Sequence, residues 1–395
     1  MNRKQFMMVL LAGTIIGGAG LILLHRNRQS WAAGEAKMGD KVVPGFRFND
    51  VTSIHIKGGG SEFNVTRKGG VWRLAERGDY AANYPQIKDL LIKIKDVRVL
   101  QSERIGPSQL GRVNLEEPGS GPGGGTLLEF KDGRGSVLSS LLVGKRHLRP
   151  QTASDPFNLH GLFDGCYVLM PNERDRVLLI SDELASVVPE PGGWLSKDFF
   201  EVQNIKSISL LSTNKAKTWT LARATESSAW TLADAKPGET LNTGMASDMA
   251  ATIPFLSFID VAGHAPSASA DSDKPTQLTL ATFDQFTYSL KIGPGVAGTY
   301  RLTGAVAANI PAERAAEKRE TPEETKELNE EFQANSHKLR EKLAREQALA
   351  SWEYVVEPQV LDQIIRDRVD LLQKPATILS ERDAVPDKEP ISLRQ

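Results

Sequence analysis

One cysteine in 395 residues leaves Cys166 with no partner inside the chain, which excludes an internal disulfide framework. Cys166 lies in Cys166-Tyr167-Val168-Leu169, a predicted strand with no basic neighbour to lower its pKa, and reads as a packed thiol, not a nucleophile. The histidines, His25, His55, His147, His160, His264 and His337, form no His-x-x-x-His pair, and no metal site shows in local spacing. Neither sign of charge is in excess: 48 Lys and Arg face 49 Asp and Glu. Nothing therefore pulls the whole chain toward a polyanion. Aromatic residues make up only 7% and are not interleaved with basic ones as in a nucleic-acid groove, so no nucleic-acid partner is expected.

Two short patterns fail on their context. Gly119, Gly121 and Gly124 have the spacing of a dinucleotide fingerprint, but Pro122 interrupts them and a strand, not a helix, follows. Ser212 and Lys215 have the S-x-x-K spacing of an acyl-transfer nucleophile, yet fall in a predicted hairpin instead of at a helix start. Adjacent acids such as Glu116 and Glu117 diverge on most backbones and make no general acid/base pair. No catalytic residue, cofactor or metal ligand is expected.

Charge is wholly missing from residues 6–24. At ~1.5 Å per residue the run spans ~28 Å as a helix, about one hydrocarbon core. A cleaved signal peptide is the alternative, with Ser30-Trp31-Ala32 as its cleavage site. The length of the run, and the basic residues before that site, favour an uncleaved transmembrane signal anchor in the lipid bilayer. Arg3, Lys4 and the amino terminus outweigh Arg26 and Arg28, which puts residues 1–5 in the cytoplasm and the large C-terminal region outside it. Gly13 and Gly17 have the G-x-x-x-G spacing that lets two such helices pack, the candidate route to a homodimer. Residues 25–45, ending near Pro44, read as a linker.

What the chain does contain is a pattern that returns. Residues 51–77 read as three strands separated by glycine turns, and residues 205–233 repeat the plan. Ser53-Ile54-His55-Ile56 corresponds to Ser207-Ile208-Ser209-Leu210, and Val71-Trp72-Arg73-Leu74 to Ala229-Trp230-Thr231-Leu232. An amphipathic helix follows each. The first is capped by Asn83 and carries Ile87, Leu90, Leu91, Ile94 and Val97; the second starts near Asn242 with Met245, Met249, Ile253 and Leu256. Later strands also correspond: Leu141-Leu142-Val143-Gly144 with Leu290-Lys291-Ile292-Gly293. A short helix is expected at 181–188, capped by Ser181.

The second copy breaks the pattern at 311–350. Thr321, Pro322 and Glu324 make a strong helix start, and the helix is expected to run to about Ala350. Leu328, Phe332, Leu339 and Leu343 form a narrow apolar stripe on it, either laid over the sheet or presented to a partner helix. The expected fold class is α+β: an N-terminal transmembrane helix, then two tandem repeats (46–198 and 199–373), each a mainly antiparallel sheet with packed helices. The helical insertion lies in the second, and residues 374–395 form a flexible tail.

The order of these motifs resembles the domain-of-unknown-function family 4340. The residues that carry the resemblance are Trp72 and Leu74 in an x-Trp-x-Leu strand, the Ile/Leu-faced helix, and Ser108, Leu110, Gly111, Leu115 and Pro118. Val143-Gly144, Tyr167-Val168, and the linker with Asp198, Phe200, Val202, Ile205 and Ile208 complete it. It covers most of 46–310 and resumes at Ser351; the charged insertion departs from it. The resemblance implies a protein held at the bacterial inner membrane, single-pass and facing the periplasm. It also implies a non-enzymatic accessory or scaffold role beside a gliding-motility-type ABC transporter or another envelope complex. The residues themselves leave a second reading: a binding module for an envelope polymer or small ligand, using the loop 145–165 with His147, His160, Arg146 and Arg149.

Overall fold

The computed structural model describes residues 37–148, 163–212, 217–265, 276–315 and 320–373. Two compact units divide the chain: Met1–Asp198 with Ile259–Gly263, and Phe199–Phe258 with His264–Gln395.

The first sheet begins with β1 (Ser53–Gly58), β2 (Ser61–Lys68), β3 (Val71–Leu74) and β4 (Tyr80–Ala81). Gly59-Gly60 and Gly69-Gly70 all have positive φ, the geometry that two-residue hairpin loops need to match strand twist. Along β1 the side chains alternate: Ile54 and Ile56 are fully buried, while His55 points to the other face. Helix α1 (Tyr84–Asp96) starts where the Asn83 side chain accepts from the Gln86 amide, with proline in the first turn. Its buried stripe is Ile87, Leu90, Leu91 and Ile94. After β5 (Val99–Arg104) come β6 (Thr126–Lys131), β7 (Val137–Leu148), β8 (Phe163–Leu169) and β9 (Arg176–Ile180). Their order in space is β4-β3-β2-β1-β6-β7-β8-β9-β5.

Three strands of this sheet, β7, β8 and β9, are buried on both faces along part of their length. Leu141, Leu142 and Val143 are all buried, a continuous apolar run that a one-sided sheet would not need. The second face belongs to a cluster of Leu115, Leu142, Leu169 and Val177, packed against Ile105, Leu110, Val113, Leu127 and Tyr167. The 3-10 turns of Pro107–Val113 supply its cover.

The second sheet comprises β10 (Ile205–Leu211), β11 (Trp219–Ala222), β12 (Thr231–Leu232), β13 (Asp260–His264), β14 (Thr276–Thr282), β15 (Phe286–Pro294), β16 (Tyr300–Ala308) and β17 (Trp352–Val356). Its order is β12-β11-β10-β14-β15-β16-β17-β13, the first order strand for strand once β4 is set aside. Helix α2 (Thr243–Thr252), capped by Asn242, buries Ala246 and Met249 and gives way to 3-10 geometry at Pro254. Helix α3 (Pro322–Leu349) joins β16 to β17 and begins with a complete capping box between Thr321 and Glu324. A single turn, α4 (Pro358–Leu361), follows β17.

The expected α+β class with a transmembrane helix is corrected on two counts. The described residues form two large, mostly antiparallel sheets with few helices. Among them no helix is long and apolar enough to cross a membrane; the expected span 6–24, with Gly13 and Gly17, lies outside the described residues. The helix expected at 181–188 also does not form. The Asp182 side chain accepts from the Leu184 amide at 2.7 Å, Leu184 takes φ 45°, and its side chain is buried. Placing Leu184 in the core outweighs the local capping signal.

Candidate functional site

The far end of β7 carries Lys145, Arg146, His147 and Leu148 past the covered cluster, with register shifts against β8 on either side of Arg146. Gly144 sets the distance to the cover. A Cβ there would lie 2.3 Å from the Val113 carbonyl oxygen and 2.9 Å from that of Asn114, so only glycine lets the strand pass so close beneath the 3-10 segment. The same close approach brings Arg112 and Gln109 beside Lys145–His147. Together they line an open cavity of about 420 Å³, with Tyr167, Ile105 and Val113 as its apolar wall. A smaller cavity of about 120 Å³ shares that wall.

The basic side chains here are only partly paired. His147 Nδ1 lies 2.6 Å from Asp164 Oδ1, and its ring meets Tyr167 edge-on at 5.8 Å. The Arg146 guanidinium lies 5.0 Å above the Phe163 ring and 3.5 Å from Glu183. Arg112 donates to Gln109 Oε1 at 3.1 Å. Among the described residues, neither Arg112 nor Lys145 makes an ion pair. Two arginines, a lysine and a histidine beside an aromatic wall suit an anion with a ring or chain attached.

The residues singled out from the sequence fall elsewhere. On α3, Leu328 is 39% exposed, whereas Phe332, Leu339 and Leu343 are half-buried. The C-terminal half of α3 rests on its own unit: Glu346 Oε1 accepts from the Glu201 amide at 3.0 Å, Gln347 donates to the Val306 carbonyl, and Lys342 sits over the Phe286 ring. From Pro322 to Glu331 every residue but Thr325 is exposed. Gly13, Gly17, Arg149 and His160 lie outside the described residues. Cys166 is fully buried, and burial, with Asp182 and Glu183 nearby, pushes its thiol up to about 12.

His55 is held between Glu129 and Glu62, each at 3.1 Å, and these carboxylates also meet Lys131 and Lys57 at 2.9 Å. The lysine bonds, foremost, hold both carboxyls below the usual range. This cross-strand ladder is complete in itself. No group of three or more His, Cys, Asp or Glu that could hold a metal occurs among the described residues.

Arg112, Gln109 and Tyr167 were not singled out as site residues from the sequence. The available signal was Gly144, a glycine inside an otherwise branched and bulky strand, which marks a close backbone approach. The chain matches no protein-family model, no curated protein and no solved structure.

Proposed function

We propose that this protein is a non-enzymatic, extracytoplasmic accessory protein whose molecular act is to bind an anionic ligand of the cell envelope in the cleft at the end of β7. The observation that carries the reading is the convergence of Arg112, Lys145, Arg146 and His147 on one cavity beside Tyr167. Placement outside the cytoplasm rests on the sequence before residue 37 and on the resemblance to family 4340. The test is titration of the full chain with an oligogalacturonate and, separately, with inorganic tripolyphosphate. Binding that weakens steeply with salt and is lost in an Arg112→Gln, Lys145→Gln double variant supports the reading. Equal binding by the double variant sinks it, and the two probes separate a carboxylated polymer from a phosphate.

One observation favours a second reading. Nine of the first ten residues of α3, Leu328 among them, are exposed and present a charged helical end to a partner. Under this reading the protein is a scaffold for a gliding-motility-type ABC transporter or another envelope complex, in line with the resemblance to family 4340. Crosslinking the chain in its native membrane fraction, with and without residues 311–350, tests it. A transporter or envelope subunit recovered only with the intact segment is the supporting result; identical recovery from both chains removes it.

A further inference from the structure

The first unit holds a second concavity, away from the cleft, between the β2–β3 hairpin and α1. Its volume is about 520 Å³, within the ~300–1,000 Å³ typical of small-molecule pockets. Trp72, Val51 and Leu91 form the floor. Three large apolar side chains stand exposed on the rim: Val71 at 45%, Tyr84 at 57% and Ile92 at 42%. Such clustering around one concavity is unlike the scattered apolar residues of an ordinary surface. Two cations face the same space, Arg67 from β2 and Lys88 from α1. Lys88 sits between Tyr84 and Ile92 at four-residue steps, so charge and apolar surface share one helix face. Among the described residues, neither Arg67 nor Lys88 makes an ion pair, a side-chain hydrogen bond or a ring contact.

The second unit shows what this corner looks like when closed. Arg67 faces Trp72 across β2 and β3. Ala222 faces Thr231 in β11 and β12, which puts Arg223 opposite Trp230 at the matching position. There the guanidinium lies 4.9 Å over Trp230 and 5.7 Å from the Phe283 ring, and Nε donates to the Ile205 carbonyl at 2.7 Å. The same arginine–tryptophan pair is self-satisfied in one unit and open in the other.

We propose that the first unit's groove binds a single-chain anionic amphiphile: an alkyl chain along Trp72, Val51 and Leu91, its carboxylate held by Arg67 and Lys88. The size of the groove suits one chain, and the two lining cations, without an ion pair among the described residues, suit a head of opposite sign. This site is independent of the β7 cleft, and its outcome leaves the proposed function untouched.

The experiment is photo-crosslinking of the full chain with a diazirine analogue of dodecanoate, mapping the labelled peptides by mass spectrometry. The expected result is saturable labelling at residues 71–72 and 84–92, displaced by dodecanoate about tenfold better than by dodecanol, the loss expected when a charge-assisted contact is missing. Labelling should fall by about the same factor in an Arg67→Gln, Lys88→Gln double variant, whose exposed substitutions leave the core intact. Non-saturable labelling spread over the chain, equal displacement by dodecanol, or an unchanged double variant overturns the proposal. Displacement by diacyl phosphatidic acid vesicles as effective as by dodecanoate overturns its single-chain part. The dodecanol comparison uses the unaltered chain, so it decides the matter even if the variant misfolds.

Discussion

The two sheets share an order of strands and differ in what stands on the face turned away from their helices. In the first, Leu127, Leu142, Tyr167, Leu169 and Val177 on that face are covered by the 3-10 segment Pro107–Val113 and its neighbours. In the second, the register lines up Thr220, Ser209, Thr279, Ser289 and Ala305 in one row across five strands. None of these five is buried, and Thr220 Oγ1 donates to Ser209 Oγ at 3.2 Å. One topology therefore tolerates either an apolar face with a lid or a hydroxyl face without one. The cleft arises only where the lid meets the strand, so the dressing of the sheet and not its strand order makes the cavity.

The comparison breaks first at the tryptophan corners. Trp230→Ala should cost ~3–5 kcal/mol of its unit's stability in urea unfolding. Trp72→Ala should cost about 1 kcal/mol less, because no arginine among the described residues is stacked on that indole. Equal costs would mean that the open and closed corners are energetically alike. Next comes the glycine pair: Gly144→Ala pushes a Cβ into the Val113 carbonyl and should cost up to about 3 kcal/mol. At the matching Gly293 a Cβ meets nothing within 4 Å among the described residues, and Gly293→Ala should stay within about 0.5 kcal/mol. A neutral Gly144→Ala would show that the lid gives way.

Arg368 sharpens the comparison by pH. It is 5% exposed and donates to Glu239, Asp234 and the Thr218 carbonyl. Arg368→Met should destabilise by about 2 kcal/mol, less than for a wholly buried pair, because the partner carboxylates reach water. Arg368, foremost, and the Lys236 amide hold the Glu239 carboxyl down to about 2. A depressed acid stabilises above its ordinary value of 4.5, and that contribution is lost as pH falls from there toward 2. The second unit's melting temperature should drop over that range, and Arg368→Met should flatten the drop.

Glu346 gives a small and opposite effect. Burial, foremost, raises its carboxyl, and Oε2 has no hydrogen-bond partner among the described residues. Its contribution is fully present below 4.5 and lost as pH rises through the raised folded value. Glu346→Gln should change stability at pH 7 by less than about 1 kcal/mol and remove this pH dependence. Melting curves at pH 4 and pH 7 check both.

What can be read from the sequence here is local chemistry. The alternation of Ile54 and Ile56 with His55, the Asn83 cap before a proline, and the capping box at Thr321 and Glu324 each depend on residues a few positions apart. What fails is whatever distant packing decides. Ser181 to Glu183 carry a helix-start signal, but Leu184 is drawn into the core and the turn is lost. The class was set too helical for a related reason: β7 runs for 12 residues, and its double-sided burial depends on a cover from elsewhere in the chain. The cleft was half legible. Arg146 and His147 stand together in the sequence, but Arg112 and Tyr167 join them only through sheet pairing and the close pass at Gly144.

The position of β5 has a consequence in time. Val99–Arg104 pairs with Arg176–Ile180, so a strand made early must wait for one made late. At about 5–20 residues per second of synthesis, that wait lasts several seconds. Through it, the β9-facing edge is an open template for wrong pairing. The sequence of β5 answers this hazard: Gln101, Ser102, Glu103 and Arg104 make most of it polar, and only Val99 is buried. The second sheet repeats the delay, with β13 beyond β17 and all of α3 to be made in between. Each sheet is thus complete only when its last strand arrives, and a chain stopped short of β9 or β17 should be a target for chaperones or proteases.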